Sequence, residues 1–127
     1  MSIRKDALSW FERNVGPAGG KQIFSSKIFK PDQSATKRHA WWIQIPEDRI
    51  RRNEFSHFYL LCQTAPDVLE FHLLKVPREY FLQNLLEFGS MGDEKISLFL
   101  SAEQDNLFED ERGFGNVNFS SFLIALQ

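Results

Sequence analysis

The sequence predicts an α+β domain in which two helices pack against a mainly antiparallel sheet of four to five strands. Three features support this class: apolar residues at helical spacing near the N-terminus, two apolar runs joined by a short connection, and a later run with apolar residues at every second position. The predicted order is helix, four strands, helix, strand. With 127 residues and 43% apolar content, residues 1–127 are predicted to form one domain with an adequate core.

The first helix is predicted over residues 3–15. Its apolar residues recur at helical spacing and are Ile3, Ala7, Leu8, Phe11 and Val15. Ser2 is suited to cap the N-terminus, and Gly16 followed by Pro17 is typical of a helix end.

Two strands are predicted next, over residues 21–30 and 39–45, with a polar loop between them. Pro46 ends the second strand and begins a short helix, whose first turn has acidic residues near its positive end. Because adjacent strand residues point to opposite faces, only one of Trp41 and Trp42 can lie in the core. The other tryptophan needs a different cover, which a helix is able to supply.

A β-hairpin is predicted from residues 55–62 and 69–76, in a register that pairs Cys62 with Leu69. One predicted face is apolar and consists of Phe58, Leu60, Cys62, Leu69, Phe71 and Leu73. The opposite face is mixed and consists of His57, Tyr59, Leu61, Glu70, His72 and Leu74. This register predicts one face toward the core and one partly polar face.

A second helix over residues 77–88, closed by Gly89, and a last strand over residues 95–102 complete the predicted fold. An acidic loop over residues 103–112 and a turn at residues 113–115 follow. The tail from Val117 is predicted to end in a helical turn that begins at Ser120.

Targeting and membrane segments are not predicted, because no apolar run approaches the roughly 20 residues needed to cross a bilayer. The single cysteine, Cys62, lies in an apolar run and is expected to be a buried core residue. A lone cysteine cannot form an internal disulfide, so we expect a reducing compartment and a cytoplasmic location.

Charge is distributed unevenly, since residues 1–64 carry a net +5 and residues 65–127 a net −7. Residues 21–52, here called the basic segment, hold eight lysines and arginines with interleaved aromatic rings. Cations neutralise phosphates and flat rings stack on bases, so the mixture suits nucleic acid. The candidate contacts are Lys27, Lys30, Lys37, Arg38, Trp41, Trp42, Arg49, Arg51 and Arg52. The alternative is an ordinary solvated face.

Complete catalytic or metal-binding motifs are not found, so we expect no cofactor and no metal site, and the sequence favours a protein that is not an enzyme. His57 and His72 are diagonal neighbours in the predicted hairpin, which suggests a shared metal ion, but no HxH, CxxC or i,i+4 spacing supports one. The loop over residues 103–112 lacks the alternating oxygen ligands and the central glycine of a calcium loop.

Four strings of the sequence, within about residues 20–90, resemble the restriction-endonuclease-like PD-(D/E)XK nucleases. These strings are residues 21–27, 41–46, 58–62 and 71–79. The resemblance implies a nuclease-like architecture, but Gln22 and Phe24 stand where the family has a carboxylate and a lysine. The resemblance therefore implies a domain that has lost its catalytic set, and no site residue is carried over.

Two functions are predicted from different classes. One is a DNA-associated domain of nuclease-like architecture without the catalytic residues. The other is a protein-interaction or structural module that binds no nucleic acid, in which exposed aromatic residues contact a partner chain. No membrane partner is expected.

Overall fold

The computed structural model describes residues 3–34, 37–90, 94–111 and 117–124. Helix α1 (Ile3–Asn14) is followed by strands β1 (Gln22–Ser26), β2 (Ile28–Phe29) and β3 (Ala40–Pro46) and by helix α2 (Glu47–Arg51). Strands β4 (His57–Gln63) and β5 (Phe71–Pro77) lead to helix α3 (Arg78–Gln83) and a 3₁₀ turn (Leu85–Glu87). Strands β6 (Gly89–Ser90) and β7 (Lys95–Ser101) follow, and β8 (Leu123–Ile124) comes after 3₁₀ turns at Gln104–Asn106 and Ser120–Phe122.

The α+β class is confirmed, but the strands form two sheets instead of the single predicted sheet. Sheet A has the strand order β1-β4-β5-β8, and sheet B has the order β2-β3-β7-β6. All pairs in sheet B are antiparallel, whereas sheet A is mixed because β1 runs parallel to β4. The prediction that the strands pair mainly in antiparallel fashion is therefore correct, although it did not include the parallel pair of β1 and β4.

The single strand predicted over residues 21–30 divides at Lys27, where the chain leaves sheet A and enters sheet B. The hydroxyl of Ser26 accepts a hydrogen bond from the Trp42 backbone N–H at 2.9 Å and donates one to the Lys27 carbonyl at 2.7 Å. A side chain thus replaces strand pairing at the crossing. Propensity does not distinguish one long strand from two short ones in different sheets, which explains the error.

The main core lies between the two sheets. Alternate residues of β3 and β7 point into it, and they meet the inner faces of β4 and β5. Its strand residues are Trp41, Ile43, Ile45, Phe58, Leu60, Cys62, Leu74, Val76, Ile96, Leu98 and Leu100. Helices α2 and α3 add Ile50 and Phe81. Cys62 is fully buried, as predicted, and burial raises the pKa of its thiol.

A second, smaller core lies between α1 and the outer face of sheet A. Ala7, Trp10 and Phe11 of the helix pack against strand residues, which are Ile23, Leu61, Phe71 and Leu73. The order of layers is therefore helix, sheet A, sheet B. The first predicted helix is confirmed, although Val15 lies beyond its end and is 40% exposed. The predicted cap, Ser2, lies outside the described residues.

The predicted register of the β4–β5 hairpin is wrong by three residues. Cys62 pairs with His72 rather than with Leu69, and Leu61 pairs with Leu73. An odd shift moves every β5 side chain to the other face, so Phe71 and Leu73 contact α1 while His72 faces the sheet B side. Leu69 belongs to the connection and is 50% exposed.

The register error has a physical cause. Strands β4 and β5 occupy the centre of sheet A and are covered on both faces, by α1 and by sheet B. A strand buried on both faces has a continuous apolar run, and such a run does not fix which residues share a face. The connection is also longer than predicted, and it turns through Asp67, whose φ is +61°.

The second predicted helix begins as expected after Pro77 but is shorter, since α3 ends at Gln83 and a 3₁₀ turn follows. Leu86, predicted on its apolar stripe, is 92% exposed, and Gly89 lies in β6. The short helix predicted after Pro46 is α2, and the turn from Ser120 is present. The turn predicted at residues 113–115 lies outside the described residues.

Candidate functional site

The candidate site is a groove of about 610 Å³ beside the crossing from β1 to β2. One wall is the chain from Ser25 to Lys30, together with Trp42 on the outer face of sheet B. The other wall consists of the start of α1, at Ile3 and Asp6, and the β4–β5 connection, at Pro66, Asp67 and Leu69. Residues distant in sequence therefore form one concave surface.

The two adjacent tryptophans have different environments, as the alternation of β3 predicts. Trp41 is 2% exposed and Trp42 is 37% exposed. The indole N–H of Trp41 donates to the Gln63 carbonyl at 2.8 Å, and its ring stacks on Phe108 at 5.2 Å between centroids. Trp41 is therefore a core residue and is not available as a nucleic-acid contact, contrary to the prediction.

Trp42 is exposed but firmly held. Its indole N–H donates to the Ser97 hydroxyl at 2.8 Å, and its ring stacks on Phe99 with centroids 5.9 Å apart and an interplanar angle of 12°. Its cover thus comes from β7, not from a helix. A ring fixed in this way loses little conformational entropy when a ligand binds against it.

Gln63 connects the two walls of the groove. Its side-chain oxygen accepts from the Ile28 backbone N–H at 3.0 Å, and its side-chain amide donates to the Val68 carbonyl at 3.0 Å. Gln63 is only 5% exposed. The sequence analysis missed this residue, although a glutamine at the end of an apolar strand is a buried polar group that requires partners.

The nine predicted contact residues do not gather on one surface. Lys27 and Lys30 line the groove, where the Lys27 ammonium lies 5.1 Å from the centre of the Phe29 ring. Arg38 is held in the acidic loop by Asp105 at 2.7 Å and Glu111 at 3.1 Å. The exposed Lys37 precedes it in the chain.

The neighbouring residue His39 also contacts the acidic loop. Its backbone N–H and its ring nitrogen Nδ1 both bond to Glu103, at 2.8 and 2.9 Å. The backbone hydrogen bond, together with the imidazole contact, holds the pKa of Glu103 below its ordinary value. The beginning of β3 is therefore fastened to the acidic loop by local charge pairing, which explains part of the charge asymmetry in the sequence.

The α2 arginines lie at the other end of β3. Arg51 pairs with Glu47 at 2.9 Å, Arg52 pairs with Asp48 at 3.4 Å, and Arg49 donates to Gln22 at 3.1 Å. Strand β3 begins beside β2 and ends at α2. With seven residues at about 3.3 Å each, β3 is roughly 20 Å long, so the arginines that follow its last residue do not lie beside the lysines that flank β2 near its first residues.

The structure does not support the predicted pair of histidines that would share a metal ion. His57 pairs with Pro77 and His72 with Cys62, so the two side chains lie on opposite faces of sheet A. His72 packs edge-on against Trp41 and Phe108, and burial lowers its pKa. Among the described residues, no group of three or more His, Cys, Asp or Glu is placed to hold a metal ion.

At the positions where the resemblance expects catalytic residues, Gln22 accepts a hydrogen bond from Arg49, and the Phe24 ring stacks on Phe58 at 6.2 Å.

In the part of the chain that the structure describes, no helix is both long and apolar enough to span a membrane.

Comparison with known proteins identifies no relative. No protein-family description matches the chain, and neither a curated protein nor a solved structure matches it.

Proposed function

We propose that this protein is a protein-interaction module that binds a polypeptide segment of a partner in the groove. The observation that carries the proposal is Trp42, a residue that is 37% exposed although its ring is fixed by Ser97 and Phe99. Tryptophan is enriched among the residues that dominate binding energy at protein interfaces. A fixed aromatic ring on a strand is a preorganised anchor.

The surroundings of Trp42 fit a peptide side chain. Ile28 and Phe29 are half-buried in the same groove, and Leu69, on the opposite wall, is 50% exposed. A volume of about 610 Å³ lies within the range of roughly 300–1,000 Å³ usual for ligand pockets. Gln63 fixes both walls, so the groove exists before a ligand arrives. The lining combines apolar side chains with polar and charged ones, and its apolar residues are Ile3, Ile28, Phe29, Trp42, Pro66 and Leu69.

Trp42→Ala is expected to weaken peptide binding by at least about tenfold, the usual effect of truncating an anchor residue. Peptides would be selected from a displayed random library against the wild-type protein. Their affinities for both proteins would then be measured by calorimetry, which does not depend on the tryptophan that the variant lacks.

Leu86→Ala is the matched control, because Leu86 is 92% exposed and does not line the groove. This variant is expected to bind the selected peptides with unchanged affinity. A library that yields no specific binder, or binders with equal affinity for wild type and Trp42→Ala, would contradict the proposal.

A second candidate function is favoured by a different observation. Three exposed arginines lie on or directly after the short helix α2. The ion pairs of Arg51 and Arg52 are surface pairs, which contribute little and are readily exchanged for phosphate. The strings that resemble nucleases lie on β1, β3, β4 and β5. This candidate is a DNA-associated domain of nuclease-like architecture without catalytic residues.

Charge reversal at Arg49, Arg51 and Arg52 is expected to weaken DNA binding of any sequence if α2 contacts the phosphate backbone. The salt dependence of the affinity should flatten by roughly 0.9 for each arginine that contacts a phosphate, because one fewer counterion is released. Fluorescence anisotropy with labelled duplex DNA at several salt concentrations measures this slope.

The control reverses three exposed cations elsewhere on the molecule. These are Lys5, Arg13 and Lys75. Equal losses in both triple variants would indicate a nonspecific charge effect. No binding by the wild-type protein at about 50 mM salt would rule out this second candidate, because electrostatic attraction is strong under that condition.

A further inference from the structure

We infer that the groove selects segments with an acidic residue beside their apolar anchor, and that it orients them by charge. This inference rests on the proposed function. Lys27 and Lys30 flank β2 on the wall that also contains Trp42. Asp6 of α1 and Asp67 of the β4–β5 connection lie on the opposite wall. The two walls therefore carry opposite charges.

These four charges are not satisfied by one another. Within the described residues, no ion pair at 4 Å or less joins Lys27 or Lys30 to either aspartate, although all four residues line the same groove. Lys27, Lys30 and Asp67 are exposed and Asp6 is half-buried. A ligand that covers unpaired charges without matching them incurs a desolvation cost.

The required ligand chemistry follows from this arrangement. When an aromatic or aliphatic side chain of the ligand packs against Trp42 and Phe29, it lies on the wall that carries the lysines. A carboxylate on the next residue of the ligand then lies near a positive charge of the protein. A basic residue farther along the segment meets the aspartate wall. The reversed segment would place like charges together, which is a strong means of rejecting a wrong orientation.

The inference is tested by repeating the peptide selection on Lys27→Glu/Lys30→Glu. Selection on the wild type is expected to enrich peptides with Asp or Glu next to the apolar anchor. Selection on the double variant is expected to enrich peptides with Lys or Arg at that position. Acidic wild-type binders should bind the double variant about tenfold more weakly. The difference should decrease at high salt, since the charges lie near the surface.

Two further variants refine the test. Asp67→Asn is nearly isosteric and suits the positive φ of that position, so it should reduce the preference for a distal basic residue without loss of folding. Arg13→Glu/Lys75→Glu introduces the same charge change at exposed residues that do not line the groove and should leave the selected sequences unchanged.

The possible failures are distinguishable. Peptides that depend on Trp42 but show no acidic preference, or a preference that survives Lys27→Glu/Lys30→Glu, would overturn the charge inference and leave the proposed function standing. If no Trp42-dependent peptide is selected, or if the groove lysines instead bind an oligonucleotide, both the inference and the proposed function are overturned.

Discussion

Trp41→Ala is expected to lower the free energy of unfolding by about 3–5 kcal/mol, whereas Trp42→Ala should lower it by about 1–2 kcal/mol. The two residues are adjacent in β3, so composition and secondary structure are the same in both variants. Only burial and contacts differ. Urea unfolding followed by far-ultraviolet circular dichroism measures both free energies, since that signal comes mainly from the backbone.

The difference follows from what each ring contacts. Trp41 is fully enclosed, stacks on Phe108, and donates the hydrogen bond that Gln63 accepts, so its removal leaves a cavity and an unpaired buried carbonyl. Trp42→Ala removes one hydrogen bond to Ser97 and one stacked ring at the surface.

Trp41→Phe is the control, because it keeps an aromatic ring in the core and removes the N–H donor. Its stability is expected to lie between those of the wild type and Trp41→Ala. A loss for Trp42→Ala as large as that for Trp41→Ala would contradict the structure. It would also weaken the use of Trp42→Ala as a probe of binding, because the variant would not fold normally.

Sequence patterns predicted the elements whose two faces differ. Helix α1 was predicted from spacing at which Ala7 and Phe11 are indeed buried. The alternation of β3 correctly required one core tryptophan, and the burial pattern of β3 places the other at the surface. In both elements one face packs against a core and the other does not, so the spacing of apolar residues indicates which side chains are buried.

Elements covered on both faces were not predictable in this way. The β4–β5 register was wrong because an apolar run such as Leu60 to Cys62 has no polar side to fix its orientation. The division of the first predicted strand at Lys27 depends on a hydrogen bond between Ser26 and Trp42, sixteen positions apart in sequence. The local sequence pattern around either residue does not indicate such a contact.

The groove could not have been predicted for the same reason. Lys27, Lys30 and Trp42 were candidate residues, but the wall opposite them comes from α1 and from the β4–β5 connection. Composition alone placed all the basic residues in one functional set. The structure instead separates the groove lysines from the α2 arginines and holds Arg38 in the acidic loop by ion pairs. Each group therefore needs its own experiment.

Phe108→Gly is expected to be more stable than Phe108→Ala by about 1 kcal/mol, although both variants should be about 3–5 kcal/mol less stable than wild type. Phe108 is fully buried against Trp41 and His72, so either substitution removes a core ring. Its φ is +64°, a conformation that costs an L-residue such as alanine about 1–2 kcal/mol and glycine much less.

Phe81 provides the control with the opposite expected order. It is also fully buried, but it lies in helix α3, where glycine is about 1 kcal/mol less favourable than alanine. Phe81→Gly should therefore be less stable than Phe81→Ala. Urea unfolding of the four variants measures both differences in one series. If glycine is the less stable substitution at position 108 as well, the left-handed backbone there does not exist in solution. The loop that holds Phe108 against Trp41 would then have a different backbone conformation.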